Sequence, residues 1–211
     1  MFTDRTDAGE QLGAHLAAEG AEADVVLGIP RGALPVARPV ADELGATLDV
    51  VVASKIGAPG NPELALGAVA SDGTLWLNDD LVEQLRVEDD YIDRERTREA
   101  EAAREKVNQY RGGNGSIPAV DGKRVVVVDD GVATGATAIA CLRQVADAGA
   151  TAVTLAVPVG SPRSLETLEN EAPVDSVIAL ERPADFSAVG QYYEDFRQVS
   201  DERARSYLDE Q

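Results

Sequence analysis

Four consecutive valines, Val125 to Val128, run directly into two acids, Asp129 and Asp130. A strand that is apolar at every position has no face to offer to water. It suits the inside of a parallel sheet covered on both sides, not a half-exposed antiparallel one. Such sheets are covered by helices, and the rest of the chain supplies the alternation. Gln11–Ala21 reads as a helix, Asp24–Ile29 as a buried strand ended by Pro30-Arg31-Gly32, and Leu34–Leu44 as a helix. Leu48–Ala53 reads as a second strand and Arg124–Val128 as a third, followed by a helix from about Thr134 to Ala148. Ala152–Val157 and Ser176–Leu180 are two further strands with a helix, Ser164–Glu171, between them. This order predicts an α/β fold with a mainly parallel sheet.

Three stretches depart from the alternation. Gly57–Glu63, GAPGNPE, is too rich in Gly and Pro for regular structure and reads as a mobile loop. Leu64–Ala70 and Thr74–Leu77 predict a short hairpin around Ser71-Asp72-Gly73. Asn78–Tyr110 is dense in charge and helix formers, a solvated helix ended by Gly112-Gly113-Asn114-Gly115. The last thirty residues hold Phe186, Tyr192, Tyr193 and Phe196 and then a terminal helix. The expected organisation is one domain over residues 1–211, with a helical insertion over about 78–110 and a C-terminal segment from about 181.

Charge narrows the choice of ligands. Asp and Glu number 38 against 19 Lys and Arg, a formal charge of −19, and only Lys55, Lys106 and Lys123 are lysines. The acids are spread along the chain while the apolar periodicity persists, as in a folded protein with an acidic surface; a halophilic cytoplasm would favour one. Nonspecific nucleic-acid binding needs clustered cations, so no nucleic-acid partner is expected. No apolar run of about 18 residues is present, so no membrane span is expected. The opening MFTDRTDAGEQLGAH lacks a basic, then apolar, leader, and a cytoplasmic location follows as the expectation. Cys141 is the single cysteine, in an apolar helical pattern, and reads as a buried thiol. His15 reads as structural or surface.

The end of the valine strand carries the chemistry. In open α/β sheets ligands bind beyond the carboxyl ends of the strands, where Asp129 and Asp130 stand. Carboxylates there can accept hydrogen bonds from vicinal hydroxyls and stabilise positive charge developing on a sugar ring. Val132 to Thr137 then enters a helix with two threonines, a glycine and small alanines. That composition leaves backbone N–H groups open at a helix N-terminus, where a phosphate is favoured. The joined pattern DDxxxTGxT between strand and helix therefore points to a pocket for a ribose 5-phosphate group. It contains neither GxxxxGK[ST] nor GxGxxG.

VVVVDDGVATGAT resembles the phosphoribosyl-diphosphate signature of the type I phosphoribosyltransferases. GIPRGALPVA, SKIGAPGNPELALGAV and AVGQYYEDFRQVSDE extend the resemblance across nearly the whole chain, to a poorly characterised bacterial and archaeal branch of that family. It implies a parallel sheet with flanking helices, a hairpin plus long-helix insertion, a small hood over the site at about 181–211, a mobile loop at about 57–63 and Mg2+. Asp129 and Asp130 would hold the ribose hydroxyls, and with substrate the Mg2+. Ala133, Thr134, Gly135, Ala136 and Thr137 would bind the 5-phosphate. Arg31 and Gly32 fall where the family has its pyrophosphate loop, and Arg31 is a planar fork suited to phosphate oxygens. Lys55 falls where family members place a basic residue toward pyrophosphate, although Ser54 stands where they often carry an arginine. The loop 57–63 would close over the reactants and exclude water.

The C-terminal aromatics read either as packing or as a stacking surface for a base. The stretch from Phe186 also resembles the hood of hypoxanthine–guanine phosphoribosyltransferases. On that match Phe186, with Tyr192 beside it, would stack on the base and Arg197 would approach pyrophosphate. Ala133 replaces an acid of those enzymes, and Pro158-Val159 replaces a lysine that reads the 6-oxo group, so the base stays open with a purine favoured. The expected activity is transfer of a 5-phosphoribosyl group between pyrophosphate and a nucleobase, as in nucleotide salvage. Two alternatives use the same pocket. Phosphate could attack a nucleoside 5′-monophosphate such as GMP, releasing base and ribose 1,5-bisphosphate, or the chain could be a phosphoribosyl-sensing regulator without catalysis. The expected partners are these small molecules and a second copy of the chain, as a homodimer or higher homo-oligomer.

Overall fold

A computed structural model describes residues 1–111 and 118–209. In chain order its elements are α1 (Arg5–Ala18), β1 (Val25–Gly28), α2 (Leu34–Leu44), β2 (Thr47–Val50), β3 (Ala53–Ala58), β4 (Asn61–Ala70) and β5 (Leu75–Leu77). There follow α3 (Asp79–Leu85), α4 (Asp89–Arg111), β6 (Arg124–Val128), α5 (Ala136–Asp147), β7 (Ala152–Val159), α6 (Pro162–Glu171), β8 (Ser176–Glu181) and α7 (Asp201–Asp209). The main sheet has the order β2-β1-β6-β7-β8, with every pairing parallel. A smaller antiparallel sheet has the order β3-β4-β5.

The valine run sits at the centre because its two faces feed separate cores. Val125 and Val127 join the core formed with α5, α6 and the smaller sheet, among Ile139, Leu142, Leu155, Leu165 and Trp76. Val126 and Val128 join the core beneath α1, α2 and α7, with Leu12, Leu16, Leu34, Val40 and Tyr207. A strand has period two, so alternate residues meet opposite layers. Both layers are apolar, and so is every position. Cys141 is fully buried in the first core, and burial raises its thiol pKa well above the ordinary value.

Several boundaries differ from the sequence reading. The first helix begins at Arg5, capped by Asp4, whose carboxylate accepts from the backbone N–H of Thr6 and Asp7 at 2.8 and 2.9 Å. Its buried face toward α2 carries Gly9 and Gly13 beside Leu12 and Leu16, so the apolar periodicity of its first turns is muted. A Cβ on Gly9 would lie 2.4 Å from the carbonyl oxygen of Val36. Gly57–Glu63, expected to be irregular, is the tip of the β3–β4 hairpin, turning at Pro59-Gly60 with Gly60 at φ +74°. The register shifts at Gly57, where a Cβ would come within 2.7 Å of Pro62 Cα. The Gly and Pro that suggested a loop thus serve a close backbone crossing. Tyr91 Oη ties this tip to the helical layer by donating to the Gly57 carbonyl at 2.9 Å. Asn78–Tyr110 is two helices, broken at Arg86, which adopts φ +52°. Gly112–Gly115 lies outside the described residues. Among the described residues no helix is long and apolar enough to cross a membrane.

The close α1–α2 contact sets two effects against each other. Helix propensity favours Ala over Gly by about 1 kcal/mol in a helix interior, whereas overpacking against a backbone carbonyl costs about 1–3 kcal/mol. Gly9→Ala is expected to destabilise, and by more than Gly13→Ala, whose Cβ would meet Glu43 Cβ at 3.1 Å. Urea denaturation of both variants checks the order, and a stabilised Gly9→Ala protein contradicts it.

Candidate active site

The turn that follows β6 is built onto the neighbouring strand. The backbone N–H of Val132 donates to the Val159 carbonyl, and that of Ser161 to the Val132 carbonyl, both at 2.9 Å. Ser164, at the start of α6, donates its hydroxyl to the Ala133 carbonyl at 2.5 Å. Gly135 caps α5 at φ +81°, a conformation open to glycine. Ala133 and Thr134 are exposed, Thr137 is half-buried, and Gly135 and Ala136 are buried beneath them. Asp129 and the residues from Gly131 to Ala138 other than Ala136 line one cavity of about 190 Å3. Four of the five expected 5-phosphate residues, Ala133, Thr134, Gly135 and Thr137, and one of the two acids therefore share a single concavity at a helix N-terminus, where a phosphate is electrostatically favoured.

The acids are held differently from each other. Asp129 Oδ1 accepts the backbone N–H of Asp130 at 2.8 Å. Asp130 Oδ2 accepts from Arg5 Nε at 2.8 Å, and its carbonyl accepts from Tyr193 Oη at 2.6 Å. Burial, and then the adjacent Asp130 charge, push the Asp129 carboxyl well above the ordinary range. Burial also raises Asp130, against the lowering effect of Arg5. Two half-buried carboxyls on adjacent residues resist sharing full negative charge. They are therefore poised to accept hydroxyl hydrogen bonds and to respond to positive charge appearing nearby. Burial, and then Asp130, likewise raise the phenol of Tyr193.

Gly32 brings the strand-end loop after β1 against this pair. A Cβ on Gly32 would lie 2.2 Å from Asp130 Oδ2, so only glycine permits the approach. The Pro30–Arg31 peptide is cis. Arg31 itself turns toward α7, where Nη1 donates to Asp201 Oδ1 at 3.4 Å and the same oxygen accepts from Tyr110 Oη at 2.9 Å. Phe186 and Tyr192 are brought together, stacked with centroids 5.8 Å apart at 11°.

Two expected residues stand elsewhere. Lys55 lies on β3 and reaches along its own hairpin, with Nζ 3.4 Å from both the carbonyl and Oε2 of Glu63. Arg197 is exposed and forks onto Asp195, with Nε at 2.9 Å and Nη2 at 2.5 Å. That fork holds Asp195 down at about 2. In both cases a local carboxylate captures the cation, a consequence of the excess of acid over base along the chain. Arg5 carries no signal in the sequence, Ser164 reads there only as the start of a helix, and Tyr193 only as one of the C-terminal aromatics. Arg5 is a single base in an acidic stretch, and its partner is 125 positions away.

Among the described residues, no three His, Cys, Asp or Glu side chains converge to hold a metal ion. The available donors are the two carboxylates, and Asp130 Oδ2 is committed to Arg5. This set does not fit a cage made by protein alone. It fits a Mg2+ that keeps waters and is carried largely by substrate oxygens, with Asp129 as the carboxylate not engaged by an arginine.

Residues 4–197 match the phosphoribosyl transferase domain family. Rv0571c of Mycobacterium tuberculosis H37Rv and MT0597 of strain CDC 1551 are each 43% identical to the chain over 209 residues, 99% of it. Both are named among the phosphoribosyl transferases. The chain spans about half the length, 46%, of these curated relatives. The crystal structure of TT1426 from Thermus thermophilus is 46% identical, with a TM-score of 0.82 over 99% of this chain and 97% of that one.

Gly32→Ala is expected to push the Asp130 carboxylate off Arg5 and cost about 1–3 kcal/mol. Chemical denaturation gives the loss, and a crystal structure of the variant gives the Asp130–Arg5 separation. A variant as stable as the parent with that pair intact contradicts the packing.

Proposed function

The chain belongs to the phosphoribosyltransferase family, and from that premise we propose that it moves a 5-phosphoribosyl group between pyrophosphate and a nucleobase, a purine for preference. The observation that carries this reading is the single cavity of about 190 Å3 shared by Asp129 and the turn that follows it into α5. A 5-phosphate bound to the backbone N–H groups of Thr134 to Thr137 leaves the ribose hydroxyls toward the acids. Departure of pyrophosphate from C1 builds positive charge on the ring, and Asp129 and Asp130 stabilise that charge more than they stabilise the neutral ground state. Mg2+, bound with the substrate, supplies neutralisation of the leaving group's charge, and Asp129 is the residue that would steady it. Phe186 and Tyr192 offer apolar ring surface to the incoming base. The hairpin tip over 57–63 is the element suited to closing over the reactants, which brings Lys55 toward pyrophosphate only once it leaves Glu63. The acidic surface suits a salt-rich cytoplasm and recycling of free bases there.

One observation favours a second reading. Arg31, Lys55 and Arg197 are each engaged by a carboxylate, Asp201, Glu63 and Asp195 respectively. A leaving-group side with its cations thus occupied suits one phosphate better than two. Phosphorolysis of a nucleoside monophosphate, yielding base and ribose 1,5-bisphosphate, uses the same acids and the same turn. Incubating the protein in high salt with nucleoside monophosphates and either phosphate or pyrophosphate, and measuring free base, separates the two readings. Ligand binding with no base released under either condition identifies a sensor instead.

Asp129→Asn is expected to lower turnover at least about 100-fold. Removing one charge from a half-buried like-charged pair should leave the melting temperature unchanged or higher. Thermal melts beside steady-state kinetics check both halves, and near-normal turnover in the variant sinks the assignment.

A further inference from the structure

Arg5 is where three parts of the molecule meet. It is the first residue of α1, directly after the capping Asp4, and only 11% of its side chain is exposed. Nε donates to Asp130 Oδ2 at 2.8 Å. Nη1 donates to the Arg197 carbonyl at 2.9 Å. The guanidinium carbon stands 3.8 Å from the centroid of the Phe196 ring. One planar group thus joins an acid at the end of β6 to the backbone and a ring of the C-terminal segment over the site.

A buried guanidinium is costly unless its donors are used, and a merely charge-balancing partner for Asp130 needs only one of these contacts. The other two go to consecutive residues of the same covering segment, 196 and 197. The backbone repeats the connection. Phe2 N donates to the Tyr192 carbonyl at 2.7 Å, Glu194 N to the Phe2 carbonyl at 2.8 Å, and Asp195 N to the Thr3 carbonyl at 2.9 Å. The start of the chain is therefore laced to residues 192–195. Arg5 carries this laced unit onto the Asp130 carboxylate, whereas Tyr193 of the same unit meets the Asp130 backbone carbonyl. Asp130 Oδ2 accepts from Arg5 and stands where a Cβ on Gly32 would lie 2.2 Å away, so both residues constrain the carboxylate's orientation.

We propose that Arg5 is a positioning residue of phosphoribosyl transfer, setting the orientation of Asp130 and, through the Arg197 carbonyl and the Phe196 ring, the placement of the C-terminal cover over the bound base. This rests on the transfer reading above. It requires the fork and not the charge alone. A lysine supplies one ammonium that can pair with Asp130 but cannot also span to the Arg197 carbonyl and stack on Phe196.

The two roles separate in the kinetics. Arg5→Lys is expected to keep the KM for phosphoribosyl diphosphate within about twofold and raise the KM for the base on the order of tenfold, since the cover is freed while Asp130 stays paired. Arg5→Met is expected to raise both KM values and to lower kcat about 100-fold. Phe196→Leu, which keeps the ion pair, should follow Arg5→Lys. Hydrogen exchange supplies a readout independent of turnover: amides of residues 190–199 should lose protection in all three variants, while β6 and α5 keep theirs. Each constant is referred to the folded fraction measured by thermal melt, so a purely structural role appears as a lower melting temperature with unchanged KM values. That result, or an Arg5→Lys protein in which both KM values rise equally, overturns the positioning role. If the parent protein turns over no base with either pyrophosphate or phosphate, the transfer reading itself fails and the role of Arg5 falls with it. Normal parent turnover with unaltered variants overturns the role of Arg5 alone.

Discussion

Burial of β6 on both faces is the constraint from which the rest of the molecule follows. Val125 and Val127 belong to one core and Val126 and Val128 to the other, so the strand cannot sit at an edge or face water. Parallel neighbours on each side carry helices above and below. The chain must then leave this strand at its carboxyl end, where the helices diverge and a crevice opens. Asp129 and Asp130 stand at that exit because neither apolar layer can accept them. The fold and the candidate site are in this sense two consequences of one run of six residues.

The site meets an electrostatic difficulty that comes from the same chain. On the proposed reading an anion must be held by a protein with a formal charge of −19. The basic side chains that could attract it are mostly claimed nearby, Lys55 by Glu63, Arg197 by Asp195 and Arg31 by Asp201. On that reading the turn after β6 offers backbone N–H groups at the start of α5, which no carboxylate can titrate away. Its shape is secured from behind by Ser164 on the Ala133 carbonyl and by the pairing of Val132 with Gly160. Arg5 differs from these three cations. Its carboxylate partner is Asp130, one of the two acids of the candidate site.

Much of this was legible in the residues. The valine run, the DDxxxTGxT turn and the alternation of apolar and helical stretches are local patterns, and local patterns survive into structure where burial is complete. β6 begins and ends where the sequence reading put it, and so does α2. The hairpin tip was misread because Gly57 and Pro62 are breakers by local propensity, yet here they allow a close backbone crossing that only the paired strand explains. The start of α1 was missed for a related reason: Gly9 and Gly13 pack through the absence of side chains, which leaves no apolar signature.

By itself, then, the sequence determined the layer architecture and the residue types at the end of β6, because periodicity and residue type act over a few positions. The tertiary structure alone decided which carboxylate each cation meets. Arg5 reaches Asp130 across 125 positions, while Lys55 and Arg197, which the motif suggested, are held by carboxylates eight and two residues away. Coulombic pairing depends on distance in space and on which groups have lost their water, and neither is written in the order of residues along the chain.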